Sequence, residues 1–528
     1  MSEEDGAVHA SVVRAVGTIG LATLASRLLG YARDIVVARA FGASPVTDAF
    51  FVAFRIPNLL RRLMAEGALS TAIIPVFTAG LTTGTPQSFQ RMVRAVAGAA
   101  LVTLCVVSLL GVLLARWLVL LMAPGWAADA DLFQLAVSLT RLMFPYLLLV
   151  GVAALAMGVL NAHHRFFTAA VAPAVLNVAM ILAVLGLAGH VGPPIFALAI
   201  GVLAGGVGQV LVQLPELRRL GVPLRPTLEW SHPAVREVVR RLWPAAFALA
   251  AVQITVVVNT LLASLLPAGT VSYLYYADRV MEFPLGVFAI ALATAALPSM
   301  SAQAARGDRR ALAATLSFSL RLAAFIAVPA AVGLAVLGGP IVRLLFERGA
   351  FTAADAVFTG QALLGYAVGL PAFSATRIAA QTFYAMGDTR TPVLVGFVSV
   401  AVNVGLALAL MWPLQHTGLA LASSLSSYVN LVGLYWVLRR RLALRWDAEL
   451  ARSLTRTGAA AALLLLWCLW ARGALAGGWH AGGWTLAALA AGLTIYALAA
   501  AALRSPELAA LLGMRRRRAP SLPSGGSE

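Results

Sequence analysis

Six arginines and three acids fall between Ser26 and Pro75: Arg27, Arg33, Arg39, Arg55, Arg61 and Arg62 against Asp34, Asp48 and Glu66. Long apolar helical text flanks this stretch on both sides. An ionisable side chain at membrane depth costs about 2.5–3.5 kcal/mol on insertion scales. Such groups persist where they pair with one another or line a water-filled cavity. Three acids can neutralise three arginines, and the remaining positive charge calls for an anion. All 39 basic residues of the chain are arginine. That excludes lysine Schiff-base chemistry and favours planar, fork-like contacts to carboxylate or phosphate oxygens.

Spacing narrows the candidates. Asn58, Arg61 and Arg62 stand at i, i+3 and i+4, on one helical face, just after Pro57. Glu66 returns near that face. Arg27, Arg33 and Arg39 are six apart and share no face, and a helix could end between them. A second charged stretch, YYADRVMEFP from Tyr275 to Pro284, places Arg279 and Glu282 at i, i+3 beside Asp278. Two readings stand: structural ion pairs, or an anion site in which the surplus arginines line a cavity, with Arg279 completing the cluster from its other side. In the second, Asp34, Asp48, Asn58, Arg62, Glu66, Asp278 and Glu282 pair, couple or gate.

Arg141 and Arg343 lie near helix ends and are expected to snorkel. Arg321 and Arg377 are deeper and have no acidic neighbour in sequence. No His/Cys/Asp/Glu spacing resembles a metal site, and no Gly-rich phosphate loop with Lys and Ser/Thr is present. No acid–His–Ser arrangement appears either. No catalytic residue, metal or cofactor is expected. Cys105 and Cys468 sit in apolar text and form no motif.

The elements that carry these charges are membrane helices. The 528 residues are 61% hydrophobic and 11% charged, where a soluble chain carries roughly 25% charged residues. Mean hydropathy is +0.88. Spans of about 20 apolar residues fall at 11–40, 46–80, 91–122, 131–160, 166–189, 193–217, 234–266, 270–304, 310–346, 355–386, 391–412, 416–438, 454–472 and 482–503, fourteen in all. Pro57, Pro145, Pro284, Pro329 and Pro371 predict kinks. The first apolar run, from Val12, follows Glu3, Glu4 and Asp5 and is expected to stay as a helix.

The net charge of +18 collects in alternate loops and the Arg515–Arg518 tail. It marks a membrane face, not a nucleic-acid site. By the positive-inside rule both termini are cytoplasmic. A weak repeat (STAIIP at 70–75, ATAALP at 293–298) maps six helices on six in the same sense. It divides the chain into lobes 1–222 and 223–445, helices 446–504 and a basic tail 505–528. Substrate sites in parallel-repeat transporters lie near the midplane.

The stretch SRLLGYARDIVVARAFGASPVTDAFFVAFRIPNLLRRLMAEGALSTAIIPVF resembles the opening of the MurJ (MviN) family of lipid II flippases, within the multidrug/oligosaccharidyl-lipid/polysaccharide exporter superfamily. SYLYYADRVMEFPLGVFAIALATAALPSMS, FYAMGDTRTPV and GLALASSLSSYVN extend the resemblance from about Val12 to Leu503. It implies fourteen helices, two six-helix lobes around a cationic cavity, and a groove for the polyprenyl tail on the last two helices. Carried over by position, Arg27, Arg33, Arg61 and Arg279 hold the diphosphate, and Asp48, Asn58, Arg62 and Glu282 match functional positions. The chain has Arg55 where the family often has Lys. Some members bind sodium through acids of the seventh and eleventh helices. Here Asn259 is the main polar residue of the seventh, and neither apolar core carries an acid.

The expected function is therefore transport, not catalysis. Lipid II would move from the inner to the outer leaflet of the bacterial cytoplasmic membrane by alternating access. The alternatives are a flippase for another polyprenyl-linked glycan, or an enzyme acting on polyprenyl diphosphates, which the short outward loops disfavour. Expected partners are lipid II, membrane lipids and cell-wall synthesis machinery, with no nucleic acid.

Overall fold

The computed structural model describes residues 24–61, 69–222, 225–442, 448–476 and 481–516, and these are helical apart from short joints. Arg62 and Glu66 lie outside the described residues, as do the first 23 residues and the tail from 517. Helix α1 covers 24–41. It is followed by α2 (Pro45–Arg61), α3 (Leu69–Thr83), α4 (Pro86–Leu113), α5 (Ala115–Met122), α6 (Ala130–Met143), α7 (Tyr146–Ala162), α8 (Phe166–Leu187), α9 (Phe196–Leu211), α10 (Leu214–Arg219) and α11 (Pro233–Ser264). The second half continues with α12 (Thr270–Pro284), α13 (Ile290–Ala305), α14 (Arg309–Phe346), α15 (Ala353–Ala385), α16 (Arg390–Arg441), α17 (Ala448–Ala476), α18 (Ala481–Ala502) and α19 (Pro506–Arg516).

Among the described residues, nine helical stretches are long and apolar enough to cross a membrane unaided. The other expected spans coincide with α1, α2–α3, α11 and α12–α13. The 52-residue α16 is two spans, because Gln415 leaves helical geometry at φ 48°, ψ −130°. The joint falls between the expected spans 391–412 and 416–438. Pro145 separates α6 from α7. A π-helical turn, Leu285–Ala289, follows Pro284 and joins α12 to α13. Its wider winding absorbs the disruption that proline makes in the ladder. Pro57, Pro329 and Pro371 stand inside uninterrupted helices.

The chain divides into two compact units. One holds Met1–Tyr273 with Phe346–Asp355, and the other holds Leu274–Leu345 with Ala356–Glu528. The first unit has a core of Ile73, Phe77, Phe89, Met92, Leu160 and Val235, drawn from α3, α4, α7 and α11. Helix α11 opens the second sequence repeat yet packs on α3 and α4, so the packing units and the repeat halves divide the chain differently. The second unit has one core of Met300, Leu316, Phe383 and Leu438 and another of Phe325, Leu464, Cys468 and Tyr496. Leu109, Leu113, Trp117, Leu185, Leu466 and Leu493 point outward and exposed, as lipid-facing side chains must.

Two close approaches set the frame of the first unit. Gly42, at φ +64°, turns the chain between α1 and α2. A Cβ there would stand 2.4 Å from the Ala350 carbonyl oxygen. Gly201 and Gly205 on α9 face α8 so tightly that a Cβ on either would meet the Met180 or Leu176 Cα at 2.9 Å. This is the small-residue contact by which membrane helices approach one another.

Candidate functional site

On α1, which runs unbroken through Arg27, Arg33 and Arg39, Arg27 is exposed and Arg33 is buried. Arg33 Nε and Nη2 both donate to Asp34 Oδ1, at 3.1 and 2.7 Å. Its Nη1 donates to Asn177 Oδ1 on α8 at 3.1 Å. Asp34 is 2% exposed and Arg33 6% exposed, so the pair is shielded from solvent and each group keeps the other's charge tolerable.

On α2, Asp48 is met by backbone amides and a hydroxyl. Its carboxylate accepts from the Gly269 amide at 2.6 Å, the Ser272 amide at 2.8 Å and the Ser272 hydroxyl at 2.5 Å. These donors belong to the first turn of α12 and the turn before it, so a carboxylate from α2 caps α12. One helical stretch further along, Arg55 donates to Thr260 of α11. Arg61 Nε donates to Asn58 Oδ1 at 2.8 Å, the i, i+3 pair that the spacing placed on one face. Phe54 stacks on Phe50, with ring centroids 5.7 Å apart, and sets the packing of the intervening turn.

The segment 346–355 also belongs to the first unit. The Ala350 amide donates to the Arg39 carbonyl at 2.8 Å. The Tyr273 hydroxyl donates to Asp355 Oδ1 at 3.3 Å. Together with the Asp48 cap, these contacts gather the α1–α2 turn, the start of α12 and the α14–α15 loop.

In the second unit, Arg279 Nη1 pairs with Glu282 at 2.8 Å, and its guanidinium lies 5.6 Å from the centre of the Tyr275 ring. Glu282 is also near enough to Arg377 for their charges to interact. Asp278 is half-buried on the same helix.

Arg321 finds its acidic partners far away in sequence: Glu449 on α17, in an ion pair, and Glu507 on α19 at 3.9 Å. Both acids are more than 100 residues away in sequence, which is why no local pattern showed them. Glu507 accepts in turn from the Ser453 and Ser505 hydroxyls at 2.7 and 2.8 Å. Outside the spans, Asp388 is pushed down to about 2 by hydrogen bonds from the Thr391 side chain and amide, aided by Arg441. It pairs with Arg441 at 2.6 Å. Among the described residues no group of three potential metal ligands occurs.

The family model described as "Lipid II flippase MurJ" matches residues 37–489. The lipid II flippase MurJ of Burkholderia cenocepacia is 39% identical over 436 residues, covering 82% of this chain and 84% of its own length. The chain belongs to the MurJ lipid II flippase family. A probable lipid II flippase MurJ of Vibrio cholerae is 38% identical over 420 residues, covering 78% of this chain and 80% of its own. A solved MurJ structure in an inward closed conformation superposes with a TM-score of 0.77 at 22% identity, covering 95% of this chain and 99% of that one. An inward-facing MATE family multidrug transporter superposes with a TM-score of 0.67 at 14% identity, covering 79% and 94%. These structural likenesses carry the fold: an all-helical, multi-pass membrane protein.

The MurJ match contains Asp48, Asn58, Arg61, Asp278, Arg279 and Glu282, whereas Arg27 and Arg33 precede its first residue. The structure adds partners that sequence reading passed over: Asn177 for Arg33, Thr260 for Arg55, and Ser272 with the Gly269 amide for Asp48. A lone Asn in the apolar run of α8 is a visible signal, since a polar side chain in a membrane helix seeks a partner. Thr260 and Ser272 give no such signal.

Proposed function

We propose that this protein flips lipid II, the polyprenyl-diphosphate-linked peptidoglycan precursor, from the inner to the outer leaflet of the bacterial cytoplasmic membrane. The family match over residues 37–489 carries the reading. The chemistry of the charged helices agrees with it. A diphosphate brings about two negative charges into a region of low dielectric, and guanidinium forks replace its lost hydration. Arg27, Arg33, Arg61 and Arg279 act on the diphosphate. Asp34, Asn58 and Glu282 hold three of these arginines in place before substrate arrives. Asp48 and Asp278 on the described helices, with Arg62 and Glu66 beyond them, serve pairing and gating.

Access alternates as the repeat lobes 1–222 and 223–445 rearrange. The pair of helices in 446–504 carries the polyprenyl tail in contact with lipid, and the basic tail 505–528 lies with both termini in the cytoplasm. The cell-wall synthesis machinery receives the product. A membrane potential of 100 mV supplies about 2.3 kcal/mol for each elementary charge moved, enough to bias the direction.

Depletion of the protein from its host tests this reading. Lipid II is expected to accumulate on the inner leaflet while its synthesis continues. Normal appearance of lipid II on the outer leaflet, with polymerisation alone blocked, would overturn the proposal.

A further inference from the structure

Asn177 stands on α8, four residues after Pro173, in an otherwise apolar run. It is 8% exposed. Its Oδ1 accepts from Arg33 Nη1 at 3.1 Å, and its Nδ2 donates to the Ser26 carbonyl at 3.2 Å. A guanidinium only donates and a carbonyl only accepts, so the amide fits these two neighbours in one orientation. The Ser26 carbonyl immediately precedes Arg27. One side chain of α8 thus braces the Arg33 head group and the turn of α1 that carries Arg27.

We propose that Asn177 is a positioning residue for the anion site, holding Arg33 and the Arg27 turn in the geometry that receives the diphosphate. The inference rests on the function proposed above. Asp34 grips Arg33 on its Nε and Nη2, both through a single carboxylate oxygen. The contact at Nη1 comes from a different helix, so α1 and α8 hold the head group together. The base of the brace is firm, because α8 is locked to α9 by the backbone approach of Gly205 to Leu176, the residue before Asn177.

The choice of an amide also has a chemical reason. Asp34 already balances Arg33, so α1 keeps a net charge of +2 from Arg27 and Arg39. An acid at 177 could accept from Arg33 but, once ionised, has no donor for the Ser26 carbonyl, and it would cancel part of that charge. An amide fixes geometry without spending charge.

Equilibrium binding of lipid II to the purified full-length protein in detergent tests this, with the thermal midpoint of each variant measured beside it. Asn177→Ala should weaken binding about tenfold, the scale of one hydrogen bond to a charged group. In an Arg33→Ala background the same substitution should cost less than it does alone, since the part that acts through Arg33 is already gone. Asn177→Asp keeps an acceptor for Arg33 but loses the donor to the Ser26 carbonyl and adds a negative charge; it should bind at least as weakly as Asn177→Ala whatever its thermal midpoint. A merely structural role would instead make binding follow stability. Wild-type binding by Asn177→Ala or Asn177→Asp, or a loss fully additive with Arg33→Ala, would overturn the proposal and leave the anion site standing. Wild-type binding by Arg33→Ala would overturn the anion-site reading itself, and Asn177 with it.

Discussion

An arginine in a membrane helix is tolerated when something nearby takes up its charge, and the partners here are specific. Arg33 has Asp34 and Asn177, Arg61 has Asn58, and Arg279 has Glu282 and the face of Tyr275. Two of these arginines have an acid at hand, while Arg61 has a neutral amide and Arg27 is exposed. Replacing any of Arg27, Arg33, Arg61 or Arg279 by alanine is expected to weaken lipid II binding by roughly ten- to a hundredfold, the worth of charge-assisted hydrogen bonds. Arg33→Lys and Arg279→Lys should recover part of this, because lysine keeps the charge and loses the fork. Titration of each purified variant with lipid II measures both effects. The arginines themselves were legible in the sequence, since surplus charge in apolar text is conspicuous. So were the i, i+3 partners Asn58 and Glu282. The pairings with Asn177 and Glu507 were not, because helices remote in sequence deliver them and no spacing rule spans that distance.

At the scale of elements, breaks and caps determine where each charged side chain stands. Asp48 of α2 caps α12 through three hydrogen bonds. Asp48→Ala leaves two amides and a hydroxyl without that acceptor and should cost about 2 kcal/mol, read as a lowered thermal midpoint in detergent. Gly42→Ala is expected to destabilise by at least about 1 kcal/mol. Its added Cβ requires a left-handed alanine and a shift of the Ala350 carbonyl.

Asp388 gives a pH prediction. Its carboxyl lies at about 2 in the folded protein, against about 3.9 unfolded. A depressed folded value means that its contribution is complete above the unfolded value and is lost as pH falls through the folded one. Asp388→Asn should therefore lower the thermal midpoint at pH 7, and the difference from wild type should shrink between about pH 4 and 2. Most helix boundaries were legible from apolar length and breakers. The division of α16 was readable from the polar Gln415–His416 step after Pro413. The π turn after Pro284 was foreseen only as a kink, because proline signals a disrupted ladder and not the form the disruption takes.

For the whole molecule, hydropathy made the membrane class and the all-helical architecture readable. The packing units were less readable. Helix α11 joins the first unit because its apolar side fits α3 and α4, a matter of shape that composition does not encode. The α17–α19 segment is fastened to α14 by the Arg321 ion pairs and by Tyr496, whose hydroxyl donates to the Phe325 carbonyl at 2.7 Å.

The account as a whole rests on one claim, that arginines in membrane helices carry the diphosphate across. Outer-leaflet lipid II, measured in a depletion strain supplied in turn with wild type and with Arg27→Ala, Arg33→Ala, Arg61→Ala and Arg279→Ala, tests it most directly. The account predicts that wild type restores outward lipid II, whereas each variant, present in the membrane at wild-type level, fails or falls at least tenfold short. Full restoration by all four variants would contradict it.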